Sequence, residues 1–92
     1  MITAKELSIG QYVRSKAGRD ADRIFIIVGI VDDQYVLIAD GDLRKVENPK
    51  RKKAKHLAKF NRISEDVSVK LAEGTSVNNA TLRREIEKLG MH

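Results

Sequence analysis

The run Lys50-Arg51-Lys52-Lys53 is the part of this sequence best suited to chemistry with a ligand. Four consecutive cations repel one another, and no acid is interleaved among them, whereas a surface built only for solubility mixes both signs. Lysine and arginine near phosphates displace condensed counterions, and this gain requires no base specificity. The run therefore predicts contact with a polyanion, and the alternative is a solvated charge run.

The positive charge of the whole chain is concentrated around this run. Residues 43–62 carry nine basic side chains and one acidic one, whereas residues 1–42 and 63–92 are each slightly acidic, and the net charge of the chain is +5. A localised excess of this kind is typical of nucleic-acid-binding proteins. The residues predicted to contact RNA are Arg44, Lys45, Lys50, Arg51, Lys52, Lys53, Lys55, His56, Lys59 and Arg62.

A second group of cations surrounds a glycine in the predicted loop between the first two strands. This loop could hold the RNA backbone as a second clamp, through Lys16, Gly18, Arg19 and Arg23. The alternative is that Asp20 and Asp22 neutralise the arginines of the loop in surface ion pairs, which contribute little to stability. The residues alone leave both interpretations open.

The other polar residues favour a binding module over an enzyme. His56 lies between lysines, and only His92 could join it in a metal site. The sequence contains no cysteine, nucleophile–base pair, phosphate loop or cofactor motif. Two pairs of aspartates match no calcium loop and stand where turns need this residue, Asp32 with Asp33 and Asp40 with Asp42. We therefore expect no catalysis, no metal, no cofactor and no small-molecule substrate.

Length and composition indicate one small intracellular domain. A chain of 92 residues forms one compact unit with little room for an enclosed active site. The absence of cysteine fits a reducing compartment. The first ten residues lack an apolar stretch of signal-peptide length, and the longest apolar run, Ile24–Val31, is too short for a membrane helix. We expect a cytoplasmic protein that contacts no membrane.

The elements that must position the cations resemble a meander of short strands. A tight turn is expected at Asp40-Gly41. The second half of the segment 50–62 is predicted as a fifth, closing strand, although its apolar residues also fit a helical face. The first four strands are predicted over Gly10–Ser15, Arg23–Val31, Tyr35–Ala39 and Leu43–Val46.

The second predicted strand is apolar on both faces, so both faces must be covered. One cover is the interior of the barrel, and the other is predicted to be two short helices. Ser64 is the predicted N-cap of the first helix, which Gly74 ends. The second helix is predicted over Ala80–Leu89, with Asn78 or Asn79 as its cap and an apolar stripe of Leu82, Ile86 and Leu89. Residues 1–62 are thus predicted to form the barrel, with its basic segment at 44–62, and residues 63–92 a helical extension packed on it.

Aromatic residues are scarce in this sequence. Phe25 and Tyr35 lie in predicted strands and are expected in the core, which leaves Tyr12 and Phe60. Proteins that read single strands by sequence present exposed aromatic platforms. The composition therefore predicts structured RNA, recognised by its backbone and shape.

The stretch Val13–Asp20, followed by Arg23 and the apolar strand, resembles a KOW motif. The order of the later segments extends the likeness, in Tyr35–Gly41, Leu43–Val46, Pro49 and Lys55–Leu57. Together these segments resemble the bacterial KOW-domain RNA-binding proteins related to the L14e-type large-subunit ribosomal proteins.

The resemblance implies a mainly β, SH3-like five-stranded antiparallel barrel and contact with ribosomal RNA. It implies that the loop around Gly18 reaches the RNA, and that residues 53–60 form a strand. One departure is that Ala21-Asp22 stands where similar proteins carry Lys-Gly, which favours the segment 44–62 as the main site.

We therefore expect an accessory protein of the ribosome or of translation that docks electrostatically on folded RNA, with ribosomal proteins as possible further partners. A protein-interaction adaptor that uses the barrel groove and the C-terminal helices is one alternative. A DNA-binding regulator is the other.

Overall fold

The computed structural model describes residues 3–90 as a five-stranded antiparallel sheet followed by two α-helices. Short 3₁₀ turns lie at Ala4–Glu6 and Ala54–His56. The strands are β1 (Gln11–Ser15), β2 (Ile24–Ile30), β3 (Tyr35–Ala39), β4 (Lys50–Lys53) and β5 (Leu57–Ile63). The helices are α1 (Glu65–Ala72) and α2 (Asn79–Gly90). The mainly β fold with two C-terminal helices is confirmed.

The strands lie in the order β4-β3-β2-β1-β5, and every neighbouring pair is antiparallel. The 3₁₀ turn at Ala54–His56 joins the two outermost strands of this order. Among residues 3–90 the hydrogen-bonded ladder stays open between β4 and β5. Over these residues the sheet is therefore not a closed barrel, but its arrangement is consistent with an SH3-like fold.

Both sides of β2 are covered, as its sequence requires. Phe25 and Ile27 are fully buried in an inner core inside the curled sheet, while Ile26 is fully buried in an outer core beneath the helices. Full burial of a side chain such as Phe25 contributes about 1.5–3 kcal/mol. The inner core also contains Ala4, Leu7, Val13, Val36, Ile38, Ala54 and Leu57, and the outer core Tyr12, Ala39, Val67, Val77 and Leu82.

Each helix begins at a capping side chain. The hydroxyl of Ser64 accepts a hydrogen bond from the backbone N–H of Val67 at 3.3 Å, which confirms the predicted cap of α1. The carboxamide oxygen of Asn78 accepts from the N–H of Thr81 at 2.8 Å, so Asn78 is the cap of α2. The side chain of Asn79 accepts instead from the N–H of Val46 at 2.8 Å, and it thereby fixes the loop that precedes β4.

Glu85 joins the two helices to each other. Its carboxylate accepts hydrogen bonds from the hydroxyl of Ser64 at 2.8 Å and from the ammonium of Lys88 at 3.1 Å. Burial acts to raise the pKa of Glu85, but these two hydrogen bonds and the charge of Lys88 outweigh it and hold the pKa below its ordinary value. The start of α1 is thus held by an ionised carboxylate on α2. Neither helix reaches the length and hydropathy that a bilayer-crossing helix needs.

Two strand predictions are wrong. Residues 43–46 form no strand, because the carboxylate of Asp40 accepts from the N–H groups of Asp42 and Arg44 and curls the chain into a loop over residues 40–49. The fourth strand begins only at Lys50. Residues 53–60 are also not one continuous strand, because the 3₁₀ turn at Ala54–His56 interrupts them. The second half of the segment 50–62 does form a strand, as predicted.

Candidate nucleic-acid interface

The basic strand β4 divides its cations between the two sides of the sheet. Alternate side chains of a strand point to opposite sides. Lys50 and Lys52 pair in register with the inner-core residues Ile38 and Val36 of β3, whereas Arg51 and Lys53 alternate with them and lie on the other side. The four consecutive cations therefore form two pairs with different surroundings.

Lys52 is buried, with 8% of its side chain exposed. Its ammonium lies 3.1 Å from Asp20 Oδ1 and donates to the backbone oxygen of Ala17 at 2.9 Å. The hydroxyl of Ser15 donates to the same Asp20 oxygen at 3.0 Å, and Lys50 Nζ lies 3.6 Å from Asp20 Oδ2. Lys52 therefore does not face solvent, and its ammonium is used inside the protein.

Asp20 is ionised although it is buried. Burial acts to raise the pKa of its carboxyl group, but the hydrogen bonds from Lys52 and Ser15 and the charges of Lys52 and Lys50 outweigh it and keep the pKa below its ordinary value. A buried carboxylate is retained where a cation and hydrogen bonds compensate its lost hydration. The carboxylate of Asp20 therefore holds its loop against β4.

The loop between β1 and β2, residues 16–22, lies against β4 and the 3₁₀ turn. Lys16 donates its N–H to the backbone oxygen of His56 at 2.8 Å. Gly18 has a φ of +86°, which favours glycine, and a Cβ built there would lie 3.6 Å from Lys52 Nζ. The exposed Arg19 follows directly. The fold thus brings Lys16, Gly18 and Arg19 to the same end of the molecule as the 3₁₀ turn with Lys55 and His56.

Arg23 does not belong to this group. Its guanidinium donates to Asp40 Oδ2 at 2.9 Å and lies 3.5 Å from Asp42 Oδ2. The hydrogen bond to Asp40 raises the pKa of Arg23, and the charges of both aspartates add to the effect. Its positive charge is therefore neutralised by the loop that precedes β4, which makes Arg23 a link between that loop and β2.

The alternative of surface neutralisation, which also included Arg14, is confirmed for Asp22 but not for Asp20. Asp20 pairs with lysines of β4, whereas Asp22 pairs with Arg14 at 2.9 Å in an exposed contact. Asp22 has a φ of +71°, and aspartate is among the few residues that tolerate this region. Lys16 and Arg19 form no ion pair with residues 3–90.

The remaining predicted contacts are spread more widely. Arg44 and Lys45 lie in the loop that the side chain of Asn79 fixes at the start of α2. Lys59 and Arg62 are exposed on β5, along a strand that leads away from the 3₁₀ turn. Besides the cations of β4, the structure thus separates the predicted set into a group at the 3₁₀ turn, a group near α2 and two cations on β5.

Charge neutralisation distinguishes the candidate surface from the rest of the described chain. Of the twelve lysines and arginines predicted to contact RNA, only Arg23, Lys50 and Lys52 form ion pairs with residues 3–90. Six lysines and arginines were not predicted to contact RNA. All of them except Arg83 form ion pairs with acidic side chains, and Arg83 donates to the backbone oxygen of Gly41. The nine unneutralised cations are Lys16, Arg19, Arg44, Lys45, Arg51, Lys53, Lys55, Lys59 and Arg62.

Tyr35 is not in the core, contrary to the expectation from its strand. It alternates with the buried Val36 and is half-exposed on the other side of β3. The guanidinium carbon of Arg51 lies 4.2 Å from the centre of its ring, and Lys53 Nζ lies 5.8 Å from that centre. Val36 and Ile38 are buried whereas Tyr35 and Leu37 are half-buried, a difference that the uniformly apolar sequence of β3 does not reveal.

The aspartates of the turns stabilise the turn backbone by hydrogen bonds, as predicted. Asp32 Oδ1 accepts from the N–H groups of Gln34 and Tyr35 at 2.8 and 2.9 Å, and these hydrogen bonds lower the pKa of Asp32. No cluster of three or more potential metal-binding side chains occurs in the part of the chain that the structure describes. His92, the only other histidine, lies outside the described residues.

Comparison with known proteins gives one informative similarity. No family model matches the chain. The chain is 32% identical over 71 residues to a protein of Bacillus subtilis (strain 168) named "Putative ribosome-binding protein YbzG". The match covers 77% of this chain and 96% of that relative, so it spans nearly the whole relative.

Proposed function

The chain belongs to the family of the Bacillus subtilis protein YbzG, and from this premise we propose that it binds the ribosome as an RNA-binding accessory protein of translation. The relative is named for ribosome binding, and the present proposal extends that property to this chain. In this proposal the protein works in the cytoplasm, performs no catalysis and docks on folded RNA through an SH3-like module of the KOW type.

The observation that carries the RNA proposal is the unneutralised charge. Nine of the twelve candidate cations have no acidic partner among residues 3–90, whereas the cations elsewhere are almost all paired. A protein gains solubility from either arrangement, but only unpaired cations can replace the counterions of a phosphate backbone. The distribution of ion pairs therefore favours a polyanionic partner.

The proposed mechanism begins with the cations near the 3₁₀ turn. Lys16, Arg19 and Lys55 are exposed, and they come from segments far apart in sequence that the Asp20–Lys52 pair holds together. A group fixed before binding loses little side-chain and loop entropy on docking. We propose that these cations contact the RNA backbone first, and that Arg51 and Lys53 extend the contact along β4.

The test uses a charge-reversal variant with a matched control. The variant Lys16→Glu/Lys55→Glu changes exposed, unpaired cations, and the control Lys5→Glu/Lys70→Glu makes the same change in net charge at paired cations. Affinity for a fully paired 20-base-pair RNA duplex is measured over a salt series. For about 4–6 phosphate contacts the wild type is expected to give a log–log slope of about −4 to −5. The variant is expected to bind at least about tenfold more weakly than the control.

Sedimentation of a cell lysate tests the ribosomal part of the proposal. The protein is expected to travel with ribosomal particles at moderate salt, to leave them at raised salt, and to lose its fast-sedimenting fraction after ribonuclease treatment. A protein that stays in the light fractions and copurifies stoichiometrically with one RNA-free protein contradicts the proposal and supports the adaptor alternative. Equal binding of variant and control to the duplex contradicts the assignment of the surface.

A further inference from the structure

The two helices leave one end of the outer side of the sheet uncovered. Ile26 and Ala39, which are partners in the β2–β3 ladder, are fully buried in the outer core. Towards the other end of β3 on the same side, Leu37 and Tyr35 are only half-buried. Arg51 of β4 pairs with Leu37 in register, and Lys53 pairs with Tyr35. This end of the sheet therefore presents an aromatic ring and two unpaired cations to solvent.

Tyr35 and Arg51 already form a stack. The guanidinium carbon lies 4.2 Å from the ring centre, which is within the range of a cation–π contact. The guanidinium is planar and weakly hydrated, so its own faces accept a further planar group. Hydrogen bonds from the backbone N–H groups of Gln34 and Tyr35 are the main cause that lowers the pKa of the nearby Asp32, and its carboxylate forms no ion pair with Arg51. The stack therefore stays available at the surface.

We propose that the Tyr35–Arg51 stack holds one unpaired nucleobase of the bound RNA. The inference rests on the proposed function, and it adds the requirement that the bound RNA contain an unpaired base. Every nucleobase has a π-face, and stacking on an aromatic ring or an arginine plane needs no particular base. Lys53, with its ammonium 5.8 Å from the ring centre, is positioned beside the base to meet the flanking phosphate.

The proposal implies that the protein prefers folded RNA with an unpaired base to a fully paired helix. In a paired A-form helix the base faces are covered by their neighbours, whereas bases in bulges and loops can be splayed out and stacked on protein side chains. One exposed aromatic ring is too little for a single-strand platform, which uses several. A single bulged base flanked by helical RNA satisfies both the stack and the cations near the 3₁₀ turn.

The test compares two RNA duplexes that differ by one nucleotide. One is the fully paired 20-base-pair duplex, and the other contains a single bulged adenosine at its centre. The wild type is expected to bind the bulged duplex about fivefold or more tightly, the lower bound for one stacked base. Tyr35→Val is expected to abolish this preference, and Tyr35→Phe to keep it. Valine and phenylalanine both suit a strand, and thermal unfolding followed by circular dichroism checks that each variant folds.

Tyrosine fluorescence of the unaltered protein provides a second readout. The chain contains two tyrosines and no tryptophan, and Tyr12 is buried beneath α2 with its hydroxyl donating to the backbone oxygen of Glu85. The bulged duplex is expected to quench emission more than the paired duplex, and Tyr35→Phe to remove the difference. Equal affinity of the wild type for both duplexes, or a preference that survives in Tyr35→Val, overturns the stacking proposal but not the proposed function. Failure of the wild type to bind either duplex overturns the proposed function.

Discussion

At the scale of single residues, adjacent lysines of one basic run have opposite roles. Lys52 points into the protein and compensates the charge of Asp20, whereas Lys53 on the other side of β4 has no ion pair with residues 3–90. Removing one member of a buried pair leaves the other charge uncompensated. Lys52 therefore belongs to the fold, and Lys53 is available to a ligand.

Substitution of each lysine by methionine tests this difference. Lys52→Met is expected to lower the free energy of unfolding by about 3 kcal/mol, because Asp20 stays buried with only the more distant Lys50 beside it. Lys53→Met is expected to change it by less than about 0.5 kcal/mol and to weaken RNA binding instead. Urea unfolding and duplex binding of both variants provide the measurements.

A double variant completes this comparison. Asp20→Asn/Lys52→Met removes both charges, and it is expected to recover part of the stability that Lys52→Met loses. Equal stabilities of the two single methionine variants would contradict the assigned roles.

At the scale of elements, the loop that precedes β4 is packed tightly on the start of α2. Gly41 in this loop has a φ of +79°, and a Cβ added there would collide with the backbone oxygen of Asn79. Gly74, after α1, has a similar φ of +76° but no atom within 4 Å of the same added Cβ. The two glycines therefore share a backbone conformation and differ in the space around them.

Alanine substitutions at these glycines are expected to separate the two effects. Gly74→Ala should cost about 1 kcal/mol of unfolding free energy, the usual cost of a left-handed backbone for a residue with a Cβ. Gly41→Ala should cost at least about 1 kcal/mol more, because the loop must also move away from α2. Thermal unfolding of both variants measures the difference. A loss at Gly41 no larger than that at Gly74 would indicate that the loop and the helix are loosely docked.

The sequence predicted the elements whose signals are local. The apolar run of β2, the Ser64 cap and the stripe of Leu82 identified a strand and two helices because burial and capping leave periodic patterns. The stretch 43–46 was predicted as a strand, yet contacts from Asp40 and from the distant Asn79 hold it as a loop. β4 was missed because an edge strand made of four cations has no apolar alternation.

The candidate site was predictable in composition but not in arrangement. The excess charge of residues 43–62 can be read from the sequence, and so can the cations around Gly18. The pair formed by Lys52 and Asp20 joins residues 32 positions apart, and nothing local distinguishes Lys52 from its neighbours. Tertiary contacts of this kind decide which cation of a run is used internally.

At the scale of the whole molecule, two buried carboxylates connect parts of the fold that are distant in sequence. Asp20 holds the β1–β2 loop on β4, and Glu85 holds α1 on α2. The pKa of each lies below its ordinary value in the folded protein. Each therefore contributes stability that is fully present above the pKa of the unfolded chain and is lost as the pH falls through the folded pKa.

Acid titration of stability tests this coupling. The free energy of unfolding is expected to be nearly constant near neutral pH and to fall below about pH 4. The double variant Asp20→Asn/Glu85→Gln is expected to be less stable at neutral pH and to have a flatter profile in acid. Urea unfolding from pH 7 to pH 3 gives both curves. Parallel curves would show that other groups control the acid response.

The open ladder has a consequence for the protein on its own. The outer edges of β4 and β5 carry backbone N–H and C=O groups that pair with no neighbouring strand within residues 3–90. Edges of this kind can template association between copies of a protein. Cations along β4 oppose this association, because the cations of two β4 edges repel each other at the short distance that backbone pairing requires. The unpaired cations of β4 thus also preserve colloidal stability, and variants that neutralise Arg51 and Lys53 are expected to self-associate at a low salt concentration at which the charges of the wild type still prevent it.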